Sequence, residues 1–282
     1  MVKENQFNFQ ARLQIFVDGG TLLLKYPDFE IHFTSDFSDE PTPSQTSIQI
    51  YNLSYKTRNK IKKGQGITLL GGFDGDLGVI TKAKIKYIHP PVQDGGDAMF
   101  EIVCIEGDDY TKDKREFVEE KVTKSNQIQI SFQKGVRARF VLQQLSNRAN
   151  IPLQIVSLKN DKDYPNGFSA SGRPVDAMQE VAEYTGSKLM YRRGSLIVRD
   201  THQGFDTKFI LDSAHGLISS PQREEDDDWT GFSVQSVFNY LFATASIINM
   251  NSWYVRGMFR VKSGTHTFDG VKAETQMEVE YQ

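Results

Sequence analysis

Two stretches of this chain, residues 47–107 and 231–281, repeat the same order of signals, and that echo constrains the fold more than any other feature. The first opens with Ser47-Ile-Gln-Ile-Tyr-Asn52 and continues with Gly78-Val-Ile-Thr-Lys-Ala-Lys-Ile-Lys-Tyr-Ile-His89. It then passes Asp94-Gly95 into Ala98-Met-Phe-Glu-Ile-Val-Cys-Ile105. The second opens with Phe232-Ser-Val-Gln-Ser-Val-Phe-Asn239 and continues with Gly257-Met-Phe-Arg-Val-Lys-Ser-Gly-Thr-His266. It then passes Asp269-Gly270 into Thr275-Gln-Met-Glu-Val-Glu-Tyr281. Successive side chains of a strand point to opposite faces, so this alternation describes sheets with one covered face. The echo is either a duplicated β unit or the loose likeness of any two alternating segments. A duplicated unit gives one chain two equivalent positions in an assembly, which is the property of a scaffold.

The rest of the first 110 residues also reads as strands. Residues 7–17 alternate, Asp18-Gly19-Gly20 is a hairpin signal, and residues 29–33 alternate again. Residues 35–44, with Pro41 and Pro43, read as an exposed loop. Ser54 suits an N-cap for one helical turn that Gly64 stops. Residues 111–206 change period. Val136, Phe140, Val141, Leu145 and Ala149 fall on one helical face. A second helix carries Pro174 in its first turn and stops at Gly186. A hairpin follows over residues 188–199, turning at Arg193-Gly194. Residues 207–282 return to strands after a charged loop, residues 223–228. The fold class expected is mainly β with an α+β insertion: a first β-barrel (1–110), a small α+β domain with two helices and a hairpin (111–206), and a second β-barrel (207–282).

Charge follows the same division. Residues 1–110 carry 11 Lys and Arg against 15 Asp and Glu; residues 111–206 carry 16 against 11; residues 207–282 carry 6 against 10. Both β units are acidic, and the basic residues between them are interleaved with acids rather than clustered as a nucleic-acid patch. No run approaches the ~18 apolar residues of a membrane span, so no membrane insertion is expected. The N-terminus lacks the apolar core of a signal peptide, which points to a chain made and kept in a cytoplasm.

Catalytic signals are missing. His32, His89, His202, His215 and His266 show no metal-ligand spacing, although His89 and His266 occupy matching points of the echo, read as turn residues. Cys104 alternates into a strand and reads as a small buried hydrophobe. The run Glu224-Glu-Asp-Asp-Asp228 reads as a solvated loop, because calcium ligands alternate rather than run together. Asp74-Gly-Asp76 reads as a hairpin turn, and Gly19-Gly20 and Gly71-Gly72 as strand-edge turns rather than phosphate cradles. Catalytic, cofactor-binding and metal residues are therefore expected to be none, and cofactors none. Trp229 and Trp253 are read as core or interface anchors, with a sugar-stacking platform as the alternative.

Taken in order, the motifs resemble the phage tail hub proteins of the late-control-D and baseplate-hub group. Ile48-Gln-Ile-Tyr-Asn-Leu-Ser54, a helical turn, Lys63-Gly64, Ile67-Thr-Leu-Leu-Gly-Gly-Phe73 and Gly78-Val-Ile80 are similar to the first barrel of that family. A helix, Gly167-Phe-Ser-Ala-Ser-Gly172 and a helix ending at Thr185-Gly186 resemble its small domain. Gly216-Leu-Ile-Ser-Ser-Pro221, Val234-Gln-Ser-Val-Phe-Asn239 and Gly257-Met-Phe-Arg-Val261 resemble its second barrel. One departure is Ala243-Thr-Ala245, where the family often has Pro-Gly. The chain also stops within two residues of its last predicted strand, so no appended lysozyme or peptidase domain is expected. The resemblance implies a non-enzymatic structural hub of a phage tail baseplate or a phage-tail-like particle. Such a hub is a homotrimer with pseudo-six-fold barrels that adapts a hexameric tail tube to a trimeric spike. The implied partners are the chain itself, a tail tube protein, a spike or tail-tip protein and a tape-measure protein. DNA passes the lumen without specific binding, and the location is the virion tail, assembled in the host cytoplasm. The alternative is a carbohydrate- or cell-wall-binding or processing module of a tail tip.

Overall fold

The computed structural model describes residues 8–94, 96–110, 128–225 and 230–282. The first β unit comprises β1 (Gln10–Val17), β2 (Gly20–Lys25), β3 (Ile31–Ser38), β4 (Gln45–Tyr51), α1 (Tyr55–Arg58), β5 (Gly66–Phe73), β6 (Asp76–Ile88), β7 (Val92–Asp94) and β8 (Asp97–Glu106). Its strands lie in the order β3-β4-β8-β6-β5-β1-β2, antiparallel throughout, with β7 as a short extra strand against β8. Two-residue turns at Asp18-Gly19 and Asp74-Gly75 close the hairpins, with φ of 85° and 81° at the glycines. Alternate residues such as Leu13, Ile15, Ile48, Ile50, Ile67, Leu69, Ile102 and Cys104 point into one shared core. Burying each large aliphatic contributes about 1.5–3 kcal/mol. Seven strands share that core, so the sheet curls round it as an open barrel; among the described residues no ladder joins β2 to β3.

The insertion contains β9 (Ile128–Phe132), β10 (Val136–Arg137), α2 (Ala138–Ala149), β11 (Leu153–Ile155), β12 (Asp163–Tyr164), β13 (Phe168–Gly172), α3 (Pro174–Tyr184), β14 (Ser187–Arg192) and β15 (Ser195–Asp200). Residues 111–127, the expected start of this unit, lie outside the described residues. The helices and the sheet β11-β15-β14 share a separate core. The expected stripe on α2 needs correction. Val136 belongs to β10 and Phe140 is 48% exposed, while Ala138, Val141, Leu142, Leu145 and Ala149 are buried. The helix begins two residues later than periodicity suggested, and the 100° step from Ala138 turns Phe140 outward.

The second β unit comprises β16 (Phe205–Leu211), β17 (Gln222–Glu225), β18 (Thr230–Val237), β19 (Ser246–Asn251), β20 (Arg256–Phe268) and β21 (Ala273–Tyr281). Its order is β17-β18-β21-β20-β19-β16, with only β16 parallel to its neighbour. In chain order and in sheet order, β17, β18, β19, β20 and β21 repeat β3, β4, β5, β6 and β8. The register repeats too. The ladder between β6 and β8 slips between Ile85 and Tyr87, bulging at Lys86. The ladder between β20 and β21 slips between Val261 and Ser263, bulging at Lys262. With the bulges aligned, Val103 corresponds to Glu278, and their partners are Ser47 and Ser233. Those serines open the triplets Ser47-Ile-Gln and Ser233-Val-Gln, so the sequence echo and the hydrogen-bond register agree.

The histidines of the echo do not agree. In that alignment His89 stands where Thr265 does; it is exposed, whereas His266 is buried inside β20. Three further readings change. β3 runs on through Asp36, Phe37 and Ser38, which the sequence placed in a loop, because the second half of β20 pairs with it. The charged loop opens as edge strand β17, whose four residues are all exposed and so show no alternation. Gly71 and Gly72 lie within β5 rather than in a turn.

Candidate functional site

The site that organises the molecule is the seam where the two β units meet. Along it β20 pairs with β3 from Ser263↔Ser38 to Phe268↔Phe33, making one continuous 14-stranded sheet. Just past β3, Asp39 is 1% exposed although it reads as loop. Its carboxylate accepts from Arg260 Nη2 at 2.8 Å and from Lys188 Nζ at 2.9 Å. Arg260 Nε donates to Glu280 at 2.7 Å. This cluster ties the end of β3 to β20, β21 and β14. A carboxylate so buried is tolerable only because two cations face it.

The tip of the β14–β15 hairpin plugs the seam from the other side. Arg193 and Gly194 both have positive φ, 50° and 85°, which makes the tight turn expected for a two-residue hairpin loop. Arg192 Nη1 donates to the Thr244 carbonyl at 2.5 Å, and Arg193 Nη2 to that of Tyr240 at 2.6 Å. The Gly194 amide donates to Glu106 at 2.9 Å, and Tyr191 donates to the Asp108 carbonyl at 2.8 Å. The receiving loop contains Ala245, whose φ of 59° is the left-handed conformation a glycine ordinarily takes. Glycines also shape the first unit for this joint. A Cβ on Gly78 would stand 2.0 Å from the Tyr240 ring, so only glycine admits that side chain.

Beneath the turn, Thr81, Glu106, Arg193, Thr244 and His266 line a small, partly open cavity of about 10 Å³, room for one water. Burial pushes the Glu106 carboxyl from 4.5 up to about 7, against the pull of the Gly194 and Arg193 amides and the two guanidinium groups. Burial pushes His266 from 6.5 down to about 3; its Nδ1 lies 2.8 Å from Thr275 Oγ1. The linkages have opposite signs. Glu106 contributes stability fully below pH 4.5, and loses it as pH rises through about 7. His266 contributes fully above pH 6.5, and loses it as pH falls through about 3. Between 4.5 and 6.5 the two slopes cancel. Glu106→Gln therefore leaves His266 unopposed, and stability should climb with pH there by on the order of 1.4 kcal/mol per unit relative to the parent. Urea unfolding across that range checks this; parallel profiles for the two proteins would refute it.

The solvent face across the seam is polar and acidic. Ser47 donates to Glu101 and Ser263 to Glu278, each at 2.5 Å. Thr265 donates to Asp36 at 2.9 Å and Gln235 to Glu274 at 3.0 Å. Hydroxyls and amides thus hold the carboxylates in place along β18, β21, β20, β3, β4 and β8.

The other sequence candidates are dispersed. Trp253 is 80% exposed at the β19–β20 turn, edge-on to Tyr254 with centroids 5.0 Å apart. Trp229, Asp226, Asp227 and Asp228 lie outside the described residues, and the two-tryptophan reading with them. Cys104 is buried, and burial pushes its thiol up to about 12. Asp76 accepts from the Tyr240 hydroxyl at 2.7 Å and ends a hairpin turn. Among the described residues no group of three or more His, Cys, Asp or Glu could hold a metal ion, and no helix is long and apolar enough to cross a membrane. Sequence reasoning missed Asp39, Glu106, Arg192 and Arg260. Each is one charged residue in an ordinary strand or loop context, and only the packing makes it special.

No protein-family model and no curated protein matches the sequence. Solved structures do. The 43 kDa tail protein of prophage MuSo2 from Shewanella oneidensis aligns over 97% of this chain and 98% of its own, with a TM-score of 0.65 at 10% identity. A tail protein from Neisseria meningitidis aligns over 95% and 96%, with a TM-score of 0.64 at 9% identity. An Escherichia coli component of the type VI secretion system, itself similar to the T4 tail proteins gp27 and gp5, aligns over 96% of this chain and 76% of its own, with a TM-score of 0.62 at 10% identity. End to end, this chain shares the fold of those solved tail proteins.

Proposed function

We propose that this chain is a structural hub of the tail baseplate of a phage or phage-tail-like particle. It works as a homotrimer whose six β units form a pseudo-six-fold ring, and it has no enzymatic activity. The observation that carries this reading is the repeated strand order and bulge register of the two units, joined by the β3–β20 ladder. Three chains with two equivalent units present six near-equivalent positions on one side while keeping three-fold symmetry on the other. That geometry suits an adaptor between a hexameric tail tube protein and a trimeric spike or tail-tip protein, with a tape-measure protein inside. The acidic, hydroxyl-lined face across the seam supports a lumen that DNA passes without binding, because gripping phosphates requires cations. The chain then resides in the virion tail, having been assembled in the host cytoplasm.

Light scattering of the purified chain should give the mass of three copies, and negative-stain images should show rings with a central hole. A stable monomer at high concentration would overturn the reading. So would retention on peptidoglycan or a glycan array that Trp253→Ala abolishes without changing the mass, which would favour a cell-wall-binding module.

A further inference from the structure

The seam inside the chain is a template for a contact between chains. In β20, pairing with β19 ends at Arg260, and β3 takes over the same side from Ser263 onward. In β6, pairing with β5 ends at Lys84, the residue equivalent to Arg260 when the bulges at Lys86 and Lys262 are aligned. Ile85 still exchanges backbone bonds with Gly64 and Gln65. From Tyr87, the equivalent of Ser263, no strand of this chain continues along that side among the described residues. The equivalent of β3 is β17, and it stands at the opposite end of the sheet with no strand on its outer side among the described residues. The molecule therefore carries both halves of a joint that it uses once internally and leaves unused at its two ends. Open strand edges are templates for pairing.

Charge points the same way. Beside the open stretch of β6, Lys63 and Lys86 lie over the Tyr87 ring at 5.5 and 5.6 Å, and Tyr87 is 53% exposed. Neighbouring Lys62 and Lys84 are already paired with Asp18 and Asp108. On β17, Glu224 and Glu225 are exposed, Glu225 sharing Arg223 at 3.1 Å, and the sequence continues with three aspartates. The basic patch belongs to a unit whose net charge is acidic, so overall charge conceals it.

We propose that β17 of a second copy of this chain seats on the open side of β6, as β3 seats on β20, with Lys63 and Lys86 facing Glu224 of that copy, the glutamate that the register puts on the Tyr87 face. Transferring the internal register places Ile88 opposite Glu225 and His89 opposite Glu224 of the second copy. The ladder ends there, because Pro90 has no amide to donate. The contact is heterologous, and three repeats of it close a ring in the trimer proposed above. The proposal rests on the homotrimeric reading above.

The test is light scattering of the full chain in three variants. Lys63→Glu with Lys86→Glu, and Glu224→Lys, should each weaken the trimer at least about tenfold in dissociation constant through like-charge contact. The three changes together should restore it. Carbodiimide cross-linking of the parent should join a peptide containing Lys63 or Lys86 to one containing Glu224 or Glu225, a readout independent of how the variants fold. A parent trimer whose mass resists both charge reversals and whose cross-links lie elsewhere overturns this contact while leaving the hub reading intact. A parent that stays monomeric overturns both. Duplex DNA retained by the parent and lost with Lys63→Glu and Lys86→Glu, the trimer unchanged, would assign the patch to nucleic acid and also overturn it.

Discussion

Asp39→Ala should destabilise the chain by about 3–5 kcal/mol, the cost of breaking a buried ion pair from one side. The loss removes the acceptor that Arg260, 6% exposed at its side chain, and Lys188 share at the seam. Arg260 keeps Glu280 but loses the partner on β3, and its Nη1 already lacks one. Lys188 is about a third exposed, so Lys188→Met should cost only about 1 kcal/mol. Asp39→Ala combined with Arg260→Met should recover part of the loss, because the buried guanidinium is gone and the charges left behind, Glu280 and Lys188, are each about a third exposed and reach solvent. Urea unfolding followed by far-ultraviolet circular dichroism measures all three. A single Asp39→Ala costing under about 1 kcal/mol would mean that the seam does not depend on this cluster.

Gly194→Ala should cost nearly as much, about 3 kcal/mol, from two sources. Its φ of 85° is strained for any L side chain, worth about 1–2 kcal/mol. Its Cβ would also stand 2.5 Å from the Lys82 carbonyl oxygen, a backbone atom that cannot swing aside. Overpacking of that kind costs typically ~1–3 kcal/mol. Gly135→Ala separates the sources, since Gly135 has a φ of 78° and nothing within 4 Å of its Cβ position. It should show the strain alone. The excess for Gly194 should come with faster proteolysis between the insertion and the β units, because the hairpin tip is what plugs them together. Equal costs for the two variants would show that the plug is not tightly seated.

Much of the β architecture was legible because its signals are local. Asp18-Gly19 and Arg193-Gly194 specify their turns through positive φ, and alternation along residues 98–105 specifies which face of β8 is buried. The echo was legible in the Ser-Ile-Gln and Ser-Val-Gln triplets, which hold equivalent register positions. His89 and His266 misled, since a matching letter at the end of an alternating run carries no register. The bulges at Lys86 and Lys262 set the register, and a bulge leaves no signature in one strand read alone. Trp253 was weighed as a core or interface anchor or a sugar platform, and sequence alone could not reveal that it stands exposed beside Tyr254.

What the sequence determined by itself was the inventory: alternating strands, turn residues, two amphipathic helices, and two acidic β units around a basic insertion. These depend on interactions within a few residues of chain. What only the tertiary structure decided was the seam. Residues 36–38 are a strand because β20 lies alongside them, and Asp39 is buried because Arg260 and Lys188 arrive from 221 and 149 residues away. Burial and pairing at such separations belong to the packed chain as a whole. The same polar residues that read as an exposed loop therefore became the joint on which the two halves are built.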